Sequence, residues 1–530
     1  MTVQGPEDIS TIGVQQDSGG EKPSRLIPAL TIVSHPIAHR AGERTVLHAL
    51  ADGLEVALSR NAPDFMPPSG GLAQSLADPF LSRNLLTLAP GPEGSLTLRA
   101  SDSGRVSLAG EPLNGSRVVS AQELTTGVAL ELADRVVVWL HLTEPHSRTG
   151  TDTLGMVGNS LGLQRVRHFI EQVADLDVPV LIRGETGSGK ELIARALYRR
   201  SARRERPFVS VNLGAIPKEL AASELFGAVK GAYSGAVKDR EGFFRAAHGG
   251  TLFLDEVGEA PPEVQAMLLR VLETRDFFPV GSHTPVLTDV RLVTATDAHL
   301  EKQIQEGRFR EPLLHRLAGY EIRVPPLRER REDIGLLFLH FAREELEAIG
   351  EGSRLQPQAS KHEPWLPAAL ASRLLRYSWP GNIRQLRNVT RQIIISNRGQ
   401  PGGLRLDSRL EQELSPAAAP LPAPPAPAAA KLPDTKPLPQ RKVAEIPETQ
   451  LIAALESAGW EIKPAAEQLG VARSSLQDWY QRNICPTLSL EELRRSYQEC
   501  HQDIDVMSQR LRMSRWAIAR RLRELGLTQA

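Results

Sequence analysis

Gly184-Glu185-Thr186-Gly187-Ser188-Gly189-Lys190-Glu191 decides how the middle of this 530-residue chain is read. The stretch follows an apolar run, Val178–Ile182, and opens a helical one, Lys190–Arg199, which is the strand–loop–helix context a phosphate-binding loop requires. Its glycines let backbone N–H groups curl around phosphate, the helix N-terminus adds positive potential, and Lys190 can neutralise β- and γ-phosphate oxygens. A Gly-rich turn without that context would be an ordinary connection. Glu191 stands where such loops usually place a Ser or Thr on magnesium, so the metal must lean on a second element. Leu252-Phe253-Leu254-Asp255-Glu256 supplies one, an apolar strand (Thr251–Leu254) ending in two carboxylates. Alone it would be a capping turn; beside a phosphate loop, Asp255 is placed to hold magnesium and Glu256 to polarise the attacking water. From about residue 155 strands alternate with longer helical stretches, predicting an α/β nucleotide-binding domain over 155–330 and a helical subdomain over 331–398.

Several blocks here resemble the AAA+ domain of sigma-54-dependent enhancer-binding proteins. They are Ser223-Glu224-Leu225-Phe226-Gly227, Gly231-Ala232-Tyr233-Ser234-Gly235-Ala236, Asp255-Glu256, the run from Val324 to Ile334, and Trp379-Pro380-Gly381-Asn382-Ile383-Arg384-Gln385-Leu386. That family also carries Glu after the loop lysine, so Glu191 fits it. The resemblance implies ATP and Mg2+ as cofactors and a ring, a hexamer, that remodels closed complexes of sigma-54 RNA polymerase. It implies that Asn212 restrains the catalytic glutamate and that Arg310 and Arg316 reach a neighbouring subunit's ATP. A guanidinium supplied in trans would stabilise phosphoryl charge and make hydrolysis depend on assembly. Asp297 and Arg384 fall at the two nucleotide-sensor positions. Residues 231–236 match the loop that contacts sigma-54, with Tyr233 and Ser234 in place of the family's Phe and Thr. One lost methyl is worth about 0.8 kcal/mol if buried. Ala228-Val229, Arg245 and Asp297 also depart from the pattern, and an anionic Asp297 near a γ-phosphate repels it unless paired.

Outward from this core, the composition is ordinary for a globular protein, 41% hydrophobic and 24% charged, with 63 basic and 63 acidic residues. The balance excludes a wholly basic nucleic-acid coat. Two cysteines, Cys485 and Cys500, exclude a disulfide framework, and with a polar N-terminus and no apolar run of about 20 residues they point to the cytoplasm.

Residues 1–26, rich in Gly, Ser and charge, are expected to be disordered. Short apolar runs over 27–145 (Leu30–Val33, Val56–Leu58, Leu85–Leu88, Leu96–Leu98, Val136–Leu142) predict an all-β sandwich. It resembles a forkhead-associated domain in Arg60, Ser82 and Arg83, the positions that hold phosphothreonine by charge-assisted bonds. Leu85, Ser103 and Ala109 depart from that pattern, so phosphothreonine binding and a plain protein-binding sandwich both stay open. Nothing suggests a phospho-accepting receiver domain.

Residues 415–440 form a Pro/Ala spacer. The remaining segment is all-α and repeats at an offset of 42: Leu451, Ile462, Leu469 and Leu476 align with Leu493, Ile504, Leu511 and Ile518. Two helix-turn-helix units, 445–484 and 487–528, are the simplest account, the first resembling the Fis-type unit that ends these activators. DNA contacts are expected from Arg473, Ser474 and Ser475 in the first copy. In the more basic second copy they are expected from Arg515, Trp516, Arg520 and Arg521; which copy reads bases stays open. Double-stranded DNA, sigma-54 polymerase and other copies of the chain are the implied partners, with a phosphothreonine protein under one reading of the β domain. The competing function is a sigma-54-independent DNA-binding regulator that uses the ATPase fold as an oligomerisation switch.

Overall fold

The computed structural model describes residues 26–101, 105–145, 153–232, 238–355, 364–400 and 402–414, and near the C-terminus 446–469, 471, 475–477, 479–480, 490–500, 504–511, 513, 518 and 522. Outside these lie Tyr233, Ser234, Gly235, Ala236, Ser103, the 415–440 spacer and residues 1–25, and also Arg473, Ser474, Arg515, Trp516, Arg520 and Arg521. The chain divides into two units, Met1–Ala419 and Pro420–Ala530.

Among the described residues the first unit opens with ten strands: β1 (Ile27–Ser34), β2 (Arg44–Val46), β3 (Val56–Leu58), β4 (Leu86–Pro90), β5 (Leu96–Ala100), β6 (Val106–Leu108), β7 (Glu111–Pro112), β8 (Ser116–Val119), β9 (Val128–Leu132) and β10 (Val136–Thr143). They form two antiparallel sheets, β2-β1-β10-β9-β6-β7 and β3-β4-β5-β8. The apolar runs read in the sequence correspond to β1, β3, β4, β5 and β10. The strands it lacks a signal for, such as β2 and β8, are short and carry charged or exposed residues. Leu30, Ile32, Val136, Val138 and Leu140 alternate inward to the sandwich core.

The alternation leaves Val137 and Trp139 on the opposite face of β10, yet both are buried. With Val33 and Ala129 they join Ile334, Leu337, Phe338 and Leu374 of the helical subdomain in one apolar core. The β domain and that subdomain, the lid, are therefore fused along a seam. Gly335, in the helix Ile334–Ala348, meets the Val33 backbone so closely that a Cβ would collide with it. Ser34 Oγ donates to Leu366 O at 2.6 Å, and Arg376 donates to Ala109 O at 3.2 Å.

The α/β core contributes β11 (Val180–Arg183), β12 (Phe208–Asn212), β13 (Thr251–Asp255), the hairpin strands β14 (Asp276–Phe277) and β15 (Val286–Leu287), β16 (Arg291–Thr296) and β17 (Tyr320–Arg323). Five of these form a parallel sheet in the order β12-β13-β16-β11-β17. Helices cover both faces, which is why β11 and β13 read as continuous apolar runs rather than alternating ones, and why every residue of β16 is buried, Arg291 and its threonines included.

The lid holds the helices Ile334–Ala348, Ala368–Arg376, Asn382–Ser396 and Ser408–Glu413. It extends past the expected limit of 398, because Leu404, Leu410 and Leu414 are buried in its core. The Pro and Gly residues at 401–403 punctuate the chain without ending the domain.

In the second unit the helices Glu448–Ser457 and Ile462–Leu469 recur 42 residues later as Leu490–Glu499 and Ile504–Leu511. Ala466 and Val471 pack with Leu451, Trp460 and Leu476; Met507, Met513, Ile518 and Leu522 cluster in the second copy. Ser475 is exposed. No helix among the described residues is long and apolar enough to cross a membrane.

Candidate active site

The phosphate loop leaves the C-terminal end of β11 and enters the helix Lys190–Arg200. Gly187 (φ 75°) and Gly189 (φ 105°) take left-handed conformations that side chains disfavour, so the loop can close tightly only with glycine there. Lys190 is buried and its Nζ donates to Gly184 O at 2.8 Å, arched back over the loop. Glu191 is exposed on the helix, paired with Arg195 at 2.8 Å.

Asp255 and Glu256 stand at the end of β13, two strands away from β11, with β16 between them. Asp255 Oδ1 accepts from Glu256 N at 3.0 Å, and Glu256 adopts a left-handed backbone (φ 57°, ψ 45°). Such a conformation costs of order 1–3 kcal/mol in a non-glycine residue and persists where the surroundings enforce it.

Asp297, just past β16, does not stand alone. It accepts from Thr186 Oγ1 of the phosphate loop and is hydrogen-bonded to Glu256. Burial, and then the Asp297 carboxylate, pushes the Glu256 carboxyl up to about 7, whereas Asp297 is held below its ordinary range. The pair thus keeps its proton on Glu256. Asn212 Oδ1 accepts from Ala215 N at 3.2 Å, capping the turn after β12. Asp297 stands against both Thr186 and Glu256.

Among the described residues no three His, Cys, Asp or Glu side chains cluster as a metal cage. Magnesium is bound by one or two carboxylates together with substrate phosphates and water. Asp255 fits as the protein ligand, and the buried Ser188 Oγ has no partner.

On the lid side, a cavity of about 230 Å3 opens beside the loop, lined by Met156, Val157, Leu163, Ile193, Phe341 and Ile383 among others. It is an apolar slot suited to a planar base. Arg384 is exposed, its Cβ about 3.0 Å from where a Gly187 Cβ would lie. Arg310 and Arg316 are exposed at the start and end of the helix Glu311–Leu317, with Arg316 3.7 Å from Glu273.

Sequence reasoning passed over the residues that clasp the loop from outside. Arg328 pairs with Glu185 through two bonds of 2.8 and 2.6 Å, and Asn382 Nδ2 donates to both Glu185 and Thr186 O at 3.1 Å. Arg330 donates to Ser188 O at 3.0 Å. The signal available was Asn382 itself, since Asn after Pro-Gly at a helix start is the residue most tolerant of positive φ.

In the β domain, Arg60 N donates to Ser82 O at 3.2 Å, which brings Arg60, Ser82 and Arg83 to one edge of the loops between β3 and β4. Arg40, buried with Glu43, holds this loop by donating to Gln74, Ser75 and Leu76 carbonyls. Leu85 is buried in the sandwich core, and the Ala109 carbonyl is taken by lid Arg376.

Residues 156–323 match the Sigma-54 interaction domain and residues 328–418 the AAA+ ATPase lid domain. The DNA-binding transcriptional regulator NtrC of Salmonella typhimurium is 46% identical over 249 residues, 47% of this chain and 51% of that protein. The chain thus spans about half the length of the NtrC proteins it matches. The C4-dicarboxylate transport transcriptional regulatory protein DctD of Pseudomonas aeruginosa is 39% identical over 350 residues, 66% of this chain and 67% of that protein. Among solved structures, NtrX from Brucella abortus in complex with ATP is 34% identical, covering 62% of this chain and 69% of that one, with a TM-score of 0.43. A phosphate loop, an acidic strand end and a lid in this arrangement form an AAA+ ATPase domain, and the chain belongs to the NtrC-like family of regulators built on a sigma-54 interaction domain.

Proposed function

We propose that the chain is a transcription activator that hydrolyses ATP as a hexameric ring to remodel closed complexes of sigma-54 RNA polymerase while its C-terminal repeat holds DNA. The observation that carries the proposal is the convergence of Lys190, Asp255 and Glu256 at one end of the parallel sheet, inside a domain that matches the Sigma-54 interaction domain. The base enters the apolar slot at Phe341 and Ile383, and Lys190 leaves Gly184 O to meet phosphate oxygens. Glu256, freed of its proton, orients the water. Magnesium on Asp255 would neutralise charge on the transferring phosphoryl group. Arg384 from the lid and Arg310 and Arg316 from a neighbouring copy complete the site, and Tyr233 and Ser234 carry the motion to sigma-54. The cytoplasm is the setting.

Open-complex formation on a sigma-54 promoter tests this, with hydrolysable ATP and the full chain. Opening that is lost in Lys190→Ala supports the proposal. ATP turnover without opening favours the second reading, a sigma-54-independent DNA-binding regulator with an ATPase-fold switch. The observation on that side is Asp297 beside Glu256, which holds the water-polarising carboxyl protonated, so slow turnover is expected with that reading.

The β domain we assign to phosphothreonine capture at Arg60, Ser82 and Arg83, supported by their common edge on a stapled loop. A phosphothreonine peptide that binds wild type and not Arg60→Ala supports it; equal binding of the unphosphorylated peptide leaves a plain protein-binding sandwich. Arg473, Ser474 and Ser475, or Arg515, Trp516, Arg520 and Arg521, are the residues assigned to DNA.

A further inference from the structure

The outer side of the phosphate loop is held by the lid through directed bonds, and one residue stands at their centre. Asn382 is wholly buried and sits at φ 52°, at the first turn of the helix Asn382–Ser396. Its Oδ1 accepts from Leu327 N at 2.8 Å. Because Leu327 N can only donate, the amide orientation is fixed, and Nδ2 faces the loop. There it donates to the Glu185 carboxylate and the Thr186 carbonyl, both at 3.1 Å. Both Nδ2 hydrogens and the Oδ1 acceptor are thereby used, tying the lid residue to two other segments, the loop and the Leu327 turn.

Three successive carbonyls of the loop, those of Thr186, Gly187 and Ser188, are taken from outside. Gly187 O accepts from Ile383 N at 3.0 Å, and Ser188 O from Arg330. The peptide unit is planar and trans, so its C=O and N–H point in opposite directions. Anchoring the Thr186 carbonyl on Asn382 aims the Gly187 N–H away from the lid. Anchoring the Ser188 carbonyl on Arg330 does the same for the Gly189 N–H. Those N–H groups face the side where phosphate is cradled.

We propose that Asn382 is a positioning residue for nucleotide binding: by holding Thr186 O and Glu185 it sets the inward aim of the phosphate loop's N–H groups and makes that aim depend on lid placement. The inference rests on the ATP-binding reading above. Arg328 completes the clasp by holding Glu185, whose carboxyl it keeps down at about 2 with help from Asn382.

The test uses the full chain, ATP titrated calorimetrically, and the melting temperature without nucleotide as a control. Asn382→Asp keeps the shape and the acceptor for Leu327 N but turns an anionic oxygen on Glu185. ATP affinity is expected to fall at least about tenfold, because both Nδ2 bonds, to Glu185 and to Thr186 O, are lost. Adding Glu185→Gln to the same chain removes the like-charge contact and sets a donor opposite the new acceptor, while Thr186 O stays unanchored and Arg328 keeps a single acceptor, so only part of that loss is expected back. Asn382→Gly keeps the backbone angle at no strain and should lose affinity without recovery by Glu185→Gln. Unchanged affinity in Asn382→Asp overturns the proposal. So does an equal loss with and without Glu185→Gln, or a loss that merely tracks a lower melting temperature. Failure of wild type to bind ATP would be a different result, removing the ATP reading itself.

Discussion

The lid touches two neighbours, and it does so with opposite chemistry. Toward the β domain it presents Ile334, Phe338 and Leu374 to Val33, Val137 and Trp139, an apolar seam with few directed bonds. Toward the phosphate loop it presents Asn382, the Ile383 N–H and, from the segment before it, Arg328 and Arg330. Apolar contact is non-directional and is released only by exposing the whole patch to water. Hydrogen bonds are directional, modest in net strength, and exchangeable for bonds to a ligand or water. The seam therefore makes the β domain ride with the lid, while the clasp can be traded when nucleotide arrives.

The largest effect is expected from Trp139→Ala. Truncating this side chain, packed in the shared core, should cost about 3–5 kcal/mol. It should lower the melting temperature while leaving ATP affinity within about twofold, checked by calorimetry of both. A large loss of ATP affinity would show that the seam is wired to the site and would break the contrast.

Gly335→Ala comes next. Its Cβ collides with the Val33 backbone, whereas the lid helix itself gains from the change. Undocking at about 1–3 kcal/mol is expected. It should appear as faster hydrogen exchange in β1 and the Ile334–Ala348 helix, with the phosphate loop unaffected.

Acid sharpens the comparison. Burial, then Arg40, holds the His35 imidazole down at about 4; burial, then Arg44, holds His141 at about 3. Both bind a proton near 6.5 when unfolded and not in the fold. The β domain's stability is therefore full above about 6.5 and falls as pH drops toward 4 and 3. Glu185 is also lowered, by its bonds from Arg328 and Asn382, but its window lies further down, its charge being kept until pH nears 2. Unfolding followed at pH 5 should begin in the β domain with the clasp still closed; simultaneous loss would contradict this.

The smallest effect belongs to Arg328→Ala. Its pair with Glu185 is partly exposed, so stability should change by less than about 1 kcal/mol. ATP affinity should nonetheless weaken several-fold, separating a bond that positions the loop from one that holds the fold.

Much of the catalytic end was legible in residues 184–191 and 251–256, because glycines, a lysine and paired carboxylates after apolar strands leave little else for that pattern to do. β10 was legible as a strand but not as one buried on both faces. Alternation shows which residues share a face, and Val137 and Trp139 carry no mark of what covers them. Asp297 was legible as a departure at a sensor position. Its pairing with Thr186 and Glu256 was not, because the three lie on segments brought together only by the order of β13, β16 and β11.

What the sequence determined by itself was local: a phosphate loop, an acidic strand end, a β-rich start and a helical repeat at a spacing of 42. Each is set by short-range backbone preference and the period of its apolar residues. What the tertiary structure decided was which surfaces became shared. The fusion of the β domain to the lid, the bond between Thr186 and Asp297, and the hold of Asn382 on the phosphate loop all depend on contacts between residues more than a hundred positions apart. Such contacts are fixed by how the elements pack in three dimensions, which no local pattern records.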